Sequence, residues 1–184
     1  MNNKLGANLT AIILLAIFIS GCTEETTTEP SEENLLINTS FEKNGMFSAD
    51  GWTLPSNSDS SSDVPANGGK YSLLLYSNAP PEVFAEIKVP AMTQFSDFRL
   101  SLWSKSIGVT NNVYGKAILS LIRNGSVIKS QSVTLDDISW RNYSIEDTFS
   151  VAENDSFKVQ LSGGVNQILG GSTYFDLCKL EAIE

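Results

Sequence analysis

The sequence predicts an all-β domain, an antiparallel β-sandwich of jelly-roll type, and three observations carry that reading. Apolar and polar residues alternate with a period of two in segment after segment, as they do in strands with one face in a core. Residues suited to tight turns punctuate those segments at short intervals. No segment of any length shows the 3.6-residue period of an amphipathic helix. Many short strands with regularly spaced turns pack as two antiparallel layers, and eight or more over about 150 residues make a jelly roll.

The strands follow in order from Asn34. Tyr71, Leu73 and Leu75 alternate with Ser72, Leu74 and Tyr76, and Val83, Ala85, Ile87 and Val89 alternate with Phe84, Glu86 and Lys88. The same period runs through Phe98, Leu100 and Leu102, through Val113 to Leu121, through Tyr143, Ile145, Phe149 and Val151, and through Phe157, Val159 and Leu161. Breaks fall at Asn67-Gly68-Gly69, Pro80-Pro81, Asn124-Gly125, Glu153-Asn154-Asp155 and Gly163-Gly164. Asn124-Gly125 between alternating apolar residues is the strongest hairpin signal, because Asn and Gly both accept the positive φ that a two-residue turn needs. Asn57 to Asp63 is polar and of low complexity, which suits a loop or an exposed edge.

Upstream of the strands lie two segments of other kinds. Residues 1–21 have a basic start (Lys4), an apolar run from Leu9 to Ile19 too short to span a bilayer comfortably, and small residues at the end. Ile19-Ser20-Gly21-Cys22 resembles the prokaryotic lipobox. That resemblance implies removal of residues 1–21, a lipid on the Cys22 sulfur and a protein anchored to the cell envelope, extracytoplasmic and surface-exposed. Residues 22–33 then form an acidic tether of Thr, Glu, Ser and Pro that buries too little apolar surface to offset the entropy of ordering. Residues 34–184 are the jelly-roll domain, and the roughly 160 residues left after the signal suffice for one core but not two.

Composition excludes whole classes of function. A net charge of -9 with no basic stripe speaks against nucleic acid, whose binding rests on neutralising phosphates. The chain has no histidine, which removes Ser-His-Asp and Cys-His triads, His-ligated zinc and His general bases. With Cys22 lipidated, Cys178 has no disulfide partner, and no histidine stands near to activate it; it reads as a buried apolar filler.

Four landmarks appear in order: Asn34-Leu35-Leu36-Ile37-Asn38 with Ser40-Phe41-Glu42, then Gly51-Trp52, then Gly69-Lys70-Tyr71-Ser72-Leu73, then Phe98 to Lys105. Tyr174 to Glu181 closes the series. Their order and spacing resemble the galactose-binding-like jelly roll of carbohydrate-binding modules, in particular families 4, 9, 16 and 22. On the last strand Asp176, Cys178, Leu180 and Ala182 share a face, and that face is the inner one if Lys179 and Glu181 meet water. An inward carboxylate demands a cation or a set of donors. The resemblance implies a structural calcium, Ca2+, held by Glu42, Asp176 and backbone carbonyls around Asn67 and Lys70. Asn67 departs from relatives that place an acid near that position. The alternative is that Asp176 accepts hydrogen bonds from backbone amides.

Alternation also nominates a ligand surface. Trp103 lies opposite Leu100 and Leu102, Tyr114 opposite Val113 and Gly115, and Tyr76 opposite Leu75, so all three aromatics are expected on the outside. Together they would form a platform for sugar rings, with Arg99, Lys105, Lys116, Glu86 and Asn112 as polar contacts. Trp52 and Trp140 follow turn residues at strand mouths and read as structural. A second ligand position implied by the resemblance is the set of loops at one end: residues 44–50, 57–67 and 163–172. The resulting expectation is a lipid-anchored module that captures a glycan without catalysis. Two other classes stay open: a structural or adhesive envelope lipoprotein that binds a protein partner, and a polysaccharide lyase or glycosidase.

Overall fold

Eleven strands arranged in antiparallel sheets make up the regular structure of the computed structural model, which describes residues 34–108, 114–165 and 171–183. The signal, Cys22 and the tether lie outside the described residues, as do Asn112 and Val113. A small hairpin joins β1 (Glu42–Lys43) and β2 (Met46–Phe47). One layer has the order β3 (Ser58–Ser61), β4 (Ser72–Tyr76), β11 (Ser172–Ile183), β6 (Asp97–Ile107), β9 (Arg141–Thr148). The other has the order β5 (Ala85–Pro90), β10 (Ser156–Ser162), β7 (Gly115–Arg123), β8 (Ser126–Leu135). No helix occurs among the described residues. The β-sandwich jelly roll expected from the sequence is therefore the fold observed.

The alternation becomes a core. Leu73, Leu75, Phe98, Leu100, Leu102, Phe175 and Leu180 from the five-stranded sheet meet Ala85, Ile87, Ala117, Leu119, Leu121, Phe157, Val159 and Leu161 from the four-stranded one. Phe98, Phe149 and Phe157 form an aromatic knot with centroids 4.5 to 6.3 Å apart, and Trp52 packs 5.3 Å from Phe41. Trp52 is thus structural, and Cys178 is a fully buried free thiol whose ionisation burial pushes up.

At the end of the sandwich where β4 stops, the inward positions change from apolar to hydroxyl. Ser104 and Ser106 are fully buried, and each donates to a backbone carbonyl, of Tyr174 and Leu135 respectively. Ser106 also meets Thr173 Oγ1 at 3.0 Å. Gly115 passes so close that a Cβ there would stand 2.5 Å from Thr173 Oγ1. The Asn124-Gly125 hairpin forms as the residues demand, with both φ angles positive and Arg123 paired to Ser126.

Two expectations need correction. β11 does not run straight: Leu177 adopts a φ of 49° and a bulge separates Asp176 from Lys179. The extra residue flips the register, so Asp176 pairs with Trp103, on the side of the outward Tyr174, while Cys178 and Leu180 face the core. The Glu181 carboxylate, expected in water, is 3% exposed and clasped by Arg99 and Lys179.

Candidate functional site

The described residues among the eight nominated as one ligand surface do not share one face of the sandwich. Trp103, Arg99, Lys105 and Tyr76 lie on the outside of the five-stranded sheet, where β6 and β4 flank β11. Lys116 and Glu86 lie on the outside of the four-stranded sheet, and half-buried Tyr114 directly precedes β7. Asn112 is outside the described residues. Trp103 lies on β6 and Tyr114 precedes β7, strands of opposite layers, so the two do not share one sheet face.

The five-stranded face gathers the aromatics. Lys105 and Tyr174 are register partners on β6 and β11, and Trp140, just before β9, falls beside Lys105 because Asn142 pairs with Trp103. Trp140 and Tyr174 meet edge to face with centroids 6.2 Å apart. The Lys105 ammonium sits 5.5 Å from the Trp140 ring and 4.9 Å from the Tyr174 ring, within cation–π range of both. Asp63 completes the group: it pairs with Lys105, and its Oδ1 accepts the Trp140 indole N–H at 3.0 Å. Leu74 stands next to Tyr174 in the same row, and Tyr76, 44% exposed, follows one pleat further along β4.

Electrostatics tie these side chains together. Burial alone would raise the Asp63 carboxyl, but hydrogen bonds from Lys105 and Trp140 and the Lys105 charge outweigh it and hold the group below the usual carboxylate range. Burial, with the Asp63 and Tyr76 oxygens nearby, pushes the Tyr174 phenol up. Further down the same face Arg99 is bound by Glu181 at 2.8 Å and Glu146 at 3.4 Å. Trp140 was read from the sequence as structural, packed at a strand mouth; it is half-buried on the outer face against Tyr174 and Asp63 and is not among the core residues. Tyr174 was not nominated, although alternation from the buried Phe175 already points it outward, and Asp63 was nominated only as part of the 57–67 loop.

The four-stranded face is polar and lacks such a group of rings. Lys116 and Ser162 both bond Glu82, at 3.1 and 2.7 Å, and Gln160 and Lys158 both engage Glu86. Ser120 and Ser130 share a hydrogen bond of 2.9 Å. Such a bed can meet hydroxyl groups but offers no stacking surface beyond its edge.

A third feature lies one pleat along β11 from Tyr174. Asp176 is fully buried, its Oδ1 accepts the Leu177 amide, and its Oδ2 has no hydrogen-bond partner. Burial pushes its carboxyl up to about 7, with the Glu42 charge adding to the rise and the Leu177 amide opposing it. Glu42 accepts the amides of Lys70 and Tyr71 at Oε1. Gly68 and Gly69 close over the two carboxylates, and a Cβ at either glycine would collide with Asp176 Oδ2 or with Glu42. Only one oxygen of Asp176 is satisfied by an amide, so a buried oxygen aimed beside a second carboxylate fits a hard cation better than a backbone clamp. No group of three or more His, Cys, Asp or Glu that could hold a metal ion occurs among the described residues.

No protein-family model and no curated protein matches the chain. Solved structures do. The carbohydrate-binding module TmCBM61, in complex with β-1,4-galactotriose, superposes with a TM-score of 0.55 at 17% identity over 82% of this chain and 99% of its own. A family 16 carbohydrate-binding module gives 0.56 at 20% identity, covering 82% of this chain and all of its own. The enzymatically active domain of bacteriophage CBA120 tailspike protein 4 gives 0.59 at 15% identity over 82% of this chain but 21% of its own. The fold is thus that of carbohydrate-binding modules, and it also occurs as part of an enzyme.

Proposed function

We propose that the protein is a carbohydrate-binding lipoprotein, anchored outside the cytoplasm through Cys22, that captures a glycan without transforming it. The observation that carries this reading is the group of Trp140, Tyr174, Lys105 and Asp63 on the five-stranded face. A pyranose presents an apolar C–H face and a rim of hydroxyls; aromatic rings match the first, and a fixed ammonium–carboxylate pair matches the second. Tyr76 and Trp103 extend the surface along neighbouring strands. The likeness to modules such as the galactotriose-bound one supports the ligand class. A shallow surface of this kind buries little area, so affinity is modest.

Calcium belongs to the same reading as a structural cation. Glu42 and Asp176 would hold it, with backbone oxygens of the 67–70 turn, and it would neutralise two carboxylates that burial forces together.

Affinity electrophoresis of the full-length chain on gels containing a panel of polysaccharides, β-1,4-galactan among them, tests the function. We expect retardation on at least one gel, weakened about fivefold by Trp140→Ala or Tyr174→Ala, since stacking contributes about 1 kcal/mol and 1.4 kcal/mol is tenfold. Glu86→Gln and Lys116→Ala leave it unchanged. Should those two variants weaken binding while Trp140→Ala does not, the site is on the four-stranded face. Absence of retardation on every gel would favour the adhesive role, and release of unsaturated or reducing ends would make the protein an enzyme.

A further inference from the structure

Residues 62–71, between β3 and β4, touch both features of the five-stranded face. At one end Asp63 bonds Lys105 and the Trp140 indole, and its carbonyl accepts the Ser72 hydroxyl at 2.6 Å. At the other end Gly68 lies against Asp176 Oδ2, and the amides of Lys70 and Tyr71 rest on Glu42. Four residues lie between Asp63 and Gly68, and Pro65 restricts the span. Pro65 is buried with a fixed φ, its carbonyl accepts the Gly68 amide at 2.9 Å, and its ring leaves no room for a Cβ on Gly68. Asp176 and Tyr174 are also alternate residues of one strand, paired with Trp103 and Lys105.

We propose that this loop couples the Glu42–Asp176 pocket to the aromatic group, with Asp63 as the positioning residue, so that occupancy of the pocket by a divalent cation sets the placement of Lys105 and Trp140. The proposal rests on the cation reading given above. A divalent cation would offset the repulsion between the two carboxylates beneath Gly68 and Gly69 and tighten the loop on β11, reinforcing the contacts that Asp63 makes with Lys105 and Trp140. A coupling of this kind is reciprocal, so a ligand on the platform tightens the cation by the same factor that the cation tightens the ligand.

Calcium chloride alone, titrated into the full-length chain, is the probe, read by tryptophan emission and in parallel by calorimetry. We expect calcium to bind with heat and to change the emission. The emission change is lost in Trp140→Phe and kept in Trp103→Phe. In Asp63→Asn the heat of binding persists while the emission change falls to that of Trp140→Phe. Heat without any change in Trp140 emission, or an Asp63→Asn response equal to wild type, overturns the coupling and leaves the cation pocket standing. No heat at all overturns both.

Discussion

Asp155 shows how one side chain can fix a turn. It follows the Glu153-Asn154 turn, its side chain is fully buried, and it takes two hydrogen bonds from Arg123, at 2.9 and 2.7 Å, and a third from the Ala152 amide. The Arg123 hydrogen bonds are the main reason its carboxyl is held below the usual range, with burial opposing and the Ala152 amide assisting. A depressed carboxylate gives stability that is present above its unfolded pKa and lost as pH falls toward the folded one. Asp155→Asn is therefore expected to lower Tm at pH 7, and the gap to wild type should begin to narrow as the pH drops below about 4, the unfolded carboxylate range. Melting curves across pH 3 to 7 check this; a gap that stays constant would mean packing rather than charge is responsible. The sequence marked this turn but not its clamp, because nothing in the residues near Asp155 names Arg123, which lies on another strand.

Elements were legible in proportion to how unevenly their faces are wetted. β6 alternates half-buried with buried residues along its length and β7 does so as far as Leu119, so their alternation was plain, and the β7–β8 turn could be named from Asn124-Gly125. Gly125 has a φ of 79° and open space around its Cα, so Gly125→Ala meets no clash and costs only the left-handed conformation, about 1–2 kcal/mol. Chemical denaturation measures it: a loss of that size with an unchanged m-value is expected, and no loss would mean the turn relaxes. β8 itself was not read as a strand. It is an edge whose residues are mostly exposed on both sides, so Ser126 to Thr134 shows no hydrophobic rhythm. β3 is hidden for the same reason in the Ser-rich segment that sequence could place only as a loop or an edge. At the site, Lys105 and Trp103 were readable from β6 alone, whereas the grouping with Trp140 and Asp63 required strand order. The bulge after Asp176 escaped because Leu177 is not a residue that advertises a positive φ.

For the whole molecule, the Glu42–Asp176 pocket joins three segments that are distant along the chain: the β1 hairpin, the 67–71 turn and the final strand. A cation there would add to the backbone hydrogen bonds that already join the start of the domain to its end, from Leu35 N–H to Leu180 O and from Cys178 N–H to Thr39 O, both at 2.8 Å. Extracellular calcium modules work at about 0.1–1 mM, a range that suits a site with two carboxylates. Binding to the folded state alone adds about 2.7 kcal/mol at a hundredfold excess over Kd. For a domain of this size that is a rise in Tm of roughly 5–10 °C. Asp176→Asn separates the cation from mere packing. The amide is nearly isosteric and neutral, so it relieves repulsion with Glu42, and the variant in chelator should melt at or above wild type in chelator. With calcium added the order should reverse, because only wild type gains. Equal melting of wild type in chelator and in millimolar calcium would mean that the buried Asp176 oxygen is tolerated without a cation, at the cost of a carboxyl that is half protonated near neutral pH.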